Sequence, residues 1–136
     1  MTIYGTITNA YFGKTKFNKD DLYHVSLKIS KEQRDALADA CRPSFDGMPD
    51  GFLPKWYKDE KSEYINFKSK FDITTIMDGE ELQSLDGFLK KFGNINGSKA
   101  GINVTIKEGA IYPHAIKIYE LATTDFSDLF DDELPF

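Results

Sequence analysis

Hydrophobic and polar residues recur along this chain with two different periods. Over 2–12 (TIYGTITNAYF) they alternate through Thr, Ile and Tyr, which predicts a β-strand. Gly5 inside that run predicts a bulge or a sharp bend. Residues 22–29 (LYHVSLKI) alternate cleanly, with Tyr23, Val25, Leu27 and Ile29 on one face and His24, Ser26 and Lys28 on the other. The longest strand candidate is 63–76 (EYINFKSKFDITTI). It assigns Ile65, Phe67, Phe71 and Ile73 to the core, with Ser69 among them, and Tyr64, Asn66, Lys68, Lys70 and Asp72 to the opposite face. Two further alternating runs, 101–108 and 112–121, place Val104, Ile106 and Ile116 inside and meet at a Gly109-Ala110 turn.

Two segments carry the helical period instead. Ser30-x-x-Gln33 matches a capping box and opens KEQRDALADAC, which Pro43 is expected to stop. Over 80–92, Leu82, Leu85, Leu89 and Phe92 recur at helical spacing, weakened by Gly87. Between the first helix and the long strand lies 43–61, a loop with three prolines; loops of that length in small domains tend to be functional or mobile. With the first helix set aside as an insertion, the order is three strands, a helix and two strands. That is the element order of an OB-fold: a mainly β, five-stranded Greek-key barrel with one or two short helices. The expected organisation is a body over 1–122 and a disordered acidic tail over 123–136.

Composition supports a folded body. The chain has 136 residues, 40% of them apolar and 14% aromatic, enough to bury a core. No apolar run approaches membrane-spanning length, and the N-terminus lacks the zones of a signal peptide, so cytoplasmic residence and no membrane partner are expected. Cys41 is the single cysteine, which excludes an intrachain disulfide and a cysteine metal cluster. The net charge of -5 is localised: Asp125, Asp128, Asp131, Asp132 and Glu133 fall in the tail, and residues 1–124 carry 17 acids against 17 bases. A neutral body is compatible with a basic groove, because binding responds to the local field and not to the sum.

The sequence offers little for catalysis. His24 and His114 sit in separate predicted strands, and no metal-ligand spacing or nucleophile motif appears. No enzymatic activity, metal or cofactor is expected. Single-stranded nucleic acid, by contrast, asks for cations that follow the phosphates and aromatic faces that take bases. Tyr64, Lys68 and Lys70 share one face of the long strand. The loop before it brings Lys55, Trp56, Tyr57, Lys58 and Lys61, and the first loop brings Lys14, Lys16 and Phe17. These are the candidate contacts; the competing reading makes the lysines a solvated sheet face and Trp56 a loop anchor.

The last twelve residues, DFSDLFDDELPF, combine five acids with Phe126, Leu129, Phe130, Leu134 and Phe136. Mutual repulsion and Pro135 oppose folding, yet apolar side chains at a free end suit a short motif docked into a partner's pocket with a basic rim. The terminal Asp131, Asp132, Glu133, Leu134, Pro135 and Phe136 resemble the C-terminal tip of bacterial and phage single-stranded DNA-binding proteins. That resemblance implies an OB-fold body that coats single-stranded DNA, and a tip that recruits replication, recombination and repair proteins. It also implies residence in a bacterial cytoplasm for a phage-encoded chain. The chain lacks the long linker of the bacterial housekeeping proteins and carries an extra helix, so it looks more like the compact phage type; a homodimer stays open. Two other classes remain: an acidic adaptor or DNA mimic that binds only proteins, and a small metal-dependent nuclease.

Overall fold

The structure, a computed structural model, describes residues 1–13 and 22–122. The first loop with Lys14, Lys16 and Phe17, and the tail with Asp131–Phe136, lie outside the described residues. The strands are β1 (Thr2–Phe12), β2 (Tyr23–Lys28), β3 (Tyr64–Ser69), β4 (Thr74–Met77), β5 (Gln83–Ser84), β6 (Lys99–Lys107) and β7 (Ala110–Glu120). The helices are α1 (Lys31–Phe45), the single turn α2 (Lys55–Lys58) and α3 (Leu85–Phe92). One sheet runs β3-β2-β1-β6-β7-β4-β5. All its pairs are antiparallel except β4 with β7. Strands β1, β2, β3, β6 and β7 with α3 reproduce the expected OB arrangement. The sheet is a curled, open half-barrel: β3 approaches β7 across the seam without joining it in the ladder. Among the described residues no helix is long and apolar enough to cross a membrane.

The inner face is filled by alternate strand residues. Ile3, Ile7, Val25, Leu27, Ile65, Phe67, Ile102, Val104, Ile116 and Ile118 are buried there. Leu37, Cys41 and Phe45 of α1 and Leu85 and Phe88 of α3 belong to the same core. Ile106, expected inside, is partly buried and packs against it.

Several local expectations need correction. The run 63–76 is two strands, not one. Ser69 Oγ accepts the Phe71 N–H at 3.1 Å, which gives the backbone a local partner in place of a ladder bond and bends the chain. Phe71, assigned to the core by its alternation, is thrown outward and is 80% exposed. The chain then resumes as β4 on the far side of β7, where Ile73 is fully buried. Pro43 does not stop α1; it sits in the last turn, and the helix ends at Phe45 with the Asp46 N–H on the Arg42 carbonyl. Ser30 caps α1 by accepting from the Gln33 N–H at 3.2 Å, but Gln33 does not close the box; its Oε1 accepts from the Tyr4 N–H at 3.1 Å and ties α1 to β1. The helix expected over 80–92 is α3, which starts at Leu85, capped by Ser84; Leu82 lies before it, exposed. Gly5 marks a close approach and not a bulge. A Cβ there would lie 2.5 Å from the Lys28 carbonyl oxygen, while the register shift of β1 against β2 falls between Ile7 and Asn9.

Candidate nucleic-acid interface

The outward face of β3 is set by its register with β2. Tyr64 lies opposite Lys28, Asn66 opposite Ser26, and Lys68 opposite His24. Ser26 Oγ donates to Asn66 Oδ1 at 2.9 Å, so the middle of the face is held by a side-chain hydrogen bond. Tyr64 is 55% exposed, and Lys68 is exposed beyond it. Because β3 is an edge strand, its outer side is a channel and not a ladder. Its first part is a groove of ≈ 640 Å³ in which Lys55, Trp56 and Lys61 face Tyr64, Asn66 and Lys68, with Asp59 and Glu63 on the rim.

Two groups of residues expected together are separated. Trp56 is only 7% exposed and belongs to the core, so it stands as a wall of the groove and not as a free platform. Tyr57 packs edge-on against Phe45 with ring centroids 4.9 Å apart, and Lys58 Nζ donates to the Asp50 carbonyl. Lys70 lies within the bend, in a second groove of ≈ 380 Å³ shared by Lys68, Phe71 and Tyr112. Phe71, and Tyr112 at 48% exposure, are aromatic members that the sequence pattern did not nominate. The available signal for Phe71 was Ser69 two residues earlier, a side chain able to turn the backbone. Tyr112 is reached only through the approach of β7 to β3. Lys68 lines both grooves, so they form one path along the edge of β3, from α2 to the β6–β7 hairpin.

The inserted α1 positions both ends of this path. Arg34, buried in the first turn of α1, donates from Nη2 to the Trp56 carbonyl at 3.1 Å and the Tyr57 carbonyl at 2.8 Å. These are carbonyls of the last residues of α2, where a cation is favoured. Nη1 reaches Asp35 at 3.2 Å, and the guanidinium lies 5.9 Å from the Trp56 ring centroid. At the other end, Ser44 Oγ accepts the Gly109 N–H. Gly109, at φ 77°, is so close to Met48 that a Cβ would lie 2.3 Å from the sulfur. One helix therefore fixes α2 and the hairpin tip, the two flanks of the channel.

The remaining chemistry is quiet. Burial pushes the Cys41 thiol up to about 11, which leaves no nucleophilic thiolate near neutrality. Burial, with the Asp72 and Asp86 carboxylates behind it, raises the Tyr23 phenol; its ring stacks on Phe12 at 4.1 Å where the chain leaves β1 and enters β2. Among the described residues no group of three or more His, Cys, Asp or Glu is arranged to hold a metal ion.

An OB-type half-barrel whose edge channel carries lysines between aromatic rings is the class of structure these observations define. Its overall path is similar to that of the single-stranded DNA-binding protein from bacteriophage Enc34, with a TM-score of 0.51 and 12% sequence identity, over 96% of this chain and 90% of that one. At that identity the likeness concerns the fold. No protein-family model matches the sequence, and no curated protein matches it.

Proposed function

We propose that this protein binds single-stranded DNA along the β3 edge. The observation that carries this reading is the continuous path in which Lys55, Lys61, Lys68 and Lys70 are interleaved with Tyr64, Phe71 and Tyr112. Cations spaced among exposed rings suit a flexible strand, because each phosphate meets a charge and each base has a π-face to stack. A duplex keeps its bases stacked inside and cannot use the rings. Lys14, Lys16 and Phe17 would add contacts to the strand in this reading, and Trp56 stands in the groove wall beside Tyr64. The structural likeness to a phage protein described as binding single-stranded DNA supports the same assignment. The mechanism is binding and not chemistry: the protein would coat and protect single strands in replication and recombination. The DDELPF end, similar to the tips of single-stranded DNA-binding proteins, would recruit replication and recombination proteins.

The test is a titration of fluorescent oligo-dT at two salt concentrations, with and without Mg²⁺. Saturable binding that weakens with salt and leaves the strand intact is the expected result. No binding at any salt would favour an adaptor that binds only proteins. Strand cleavage that stops on adding a chelator would favour a nuclease.

A further inference from the structure

A second aromatic surface lies on the solvent face of the sheet, away from the β3 edge. Near the start of β6, Gly101 lies on the outer side of the sheet between Tyr4 of β1 and Lys117 of β7. The Tyr4 ring lies over it: a Cβ on Gly101 would be 3.0 Å from Tyr4 Cε1 and 3.1 Å from Cδ1. The ring therefore covers the glycine while Tyr4 itself stays 49% exposed. Tyr119 stands beside it with ring centroids 6.0 Å apart, 55% exposed, and Lys117 Nζ lies 5.3 Å from its ring. Alternation with the buried Ile116 and Ile118 turns Tyr119 outward, and a register shift leaves it without a paired residue on β6. Lys99 pairs with Glu120 and Ala100 with Ile118, so Tyr119 is the extra residue on β7.

Three lysines and two acids lie around the two rings. Lys99 and Lys117 each have an acid nearby, Glu120 at 3.4 Å and Asp78 at 4.0 Å. Both pairs are exposed, so they exchange partners at little cost. Lys28 lines the same depression as Tyr4, Lys99 and Tyr119, and has no acidic partner among the described residues. The patch is also continuous with the edge channel. Tyr64 pairs with Lys28, Lys28 with Thr6, and Thr6 with Lys99, a single row across four strands. Three inter-strand spacings make that row about 14 Å long.

We infer that the Tyr4–Tyr119 platform is a second base-stacking site, which takes the continuation of a single strand that leaves the β3 edge at Tyr64 and crosses the sheet over Lys28 and Lys99. This rests on the proposed single-strand binding and adds a direction to it: the strand wraps around the half-barrel. A ring pair that only covers a glycine would not need cations on both sides of it.

The experiment compares oligo-dT of two lengths on the full chain. One is about six nucleotides, enough for the edge channel alone; the other is about sixteen, the upper end of what one OB-fold occupies. Tyr119→Ala and the double variant Tyr4→Ala/Tyr119→Ala are measured against the wild type, with Tyr119→Phe as the conservative control. Tyr119→Ala leaves the Tyr4 cover on Gly101 in place, so it keeps the test valid even if the double variant does not fold. The expected result is unchanged affinity for the short strand, at least about fivefold weaker binding of the long strand, and wild-type behaviour of Tyr119→Phe. Equal binding of the long strand by wild type and Tyr119→Ala would overturn the platform and leave the edge channel standing. Failure of the wild type to bind either length would overturn both. Sedimentation that shifts to a smaller species in Tyr119→Ala, with DNA binding unchanged, would overturn it in favour of contact with a second copy.

Discussion

Replacing Phe71 with alanine separates a packing role from a binding role more sharply than any other change in this protein. Alternation along 63–76 puts Phe71 in the core, and truncating a buried Phe costs about 3–5 kcal/mol. For a domain of this size that would lower the melting temperature by more than about 10 °C. The structure instead turns Phe71 outward at the Ser69 bend, 80% exposed, on the groove shared with Lys68, Lys70 and Tyr112. So little of the ring is buried that its loss is expected to change stability by no more than about 0.5 kcal/mol. If a base stacks on it, the same substitution removes about 1–3 kcal/mol of binding, roughly 5- to 150-fold in affinity for oligo-dT. The assay is a pair of measurements on one preparation: a thermal melt and a fluorescence titration at fixed salt. An unchanged melt with weakened binding is the expected outcome. A large fall in melting temperature would refute the placement of Phe71, and unchanged binding would remove it from the path.

Three further outcomes follow from the same geometry. The double change Lys68→Ala/Lys70→Ala should flatten the dependence of log K on log salt by about 0.7 for each phosphate no longer neutralised; a slope equal to the wild type's would place both lysines outside the site. Arg34→Ala leaves the Trp56 and Tyr57 carbonyls without their donor, with an expected cost of about 2–4 kcal/mol, a red shift of Trp56 emission and weaker strand binding as α2 loosens; unshifted emission would mean that α2 holds its place without Arg34. Deleting residues 125–136 removes five acids, which under the proposed function would compete with phosphate for the lysines. Equal or tighter binding at low salt and loss of partner recruitment are expected, with Phe136→Ala reproducing only the second effect. A large drop in melting temperature on truncation would mean that the tail packs as structure.

What the sequence determined by itself was local. Alternation in 2–12, 22–29, 101–108 and 112–121 marked the strands and most of the core, because the side-chain period of a strand is two wherever the strand is placed. The Ser30 cap began α1 at the right residue, since capping involves only neighbouring backbone. The element order was enough to name the fold, and the pairing of Tyr64 with Lys68 on one face followed from their spacing. The tertiary structure decided everything that depends on which segments meet. Alternation could not tell that a serine hydroxyl would end β3 two residues before Phe71, since the pattern continues unbroken through the bend. Composition could not separate an exposed Trp56 from one locked inward, because that depended on a buried Arg34 some twenty residues earlier in the chain. Tyr4, Gly101 and Tyr119 come from opposite ends of the sequence; strand pairing brings them together, and no local rule registers such a meeting.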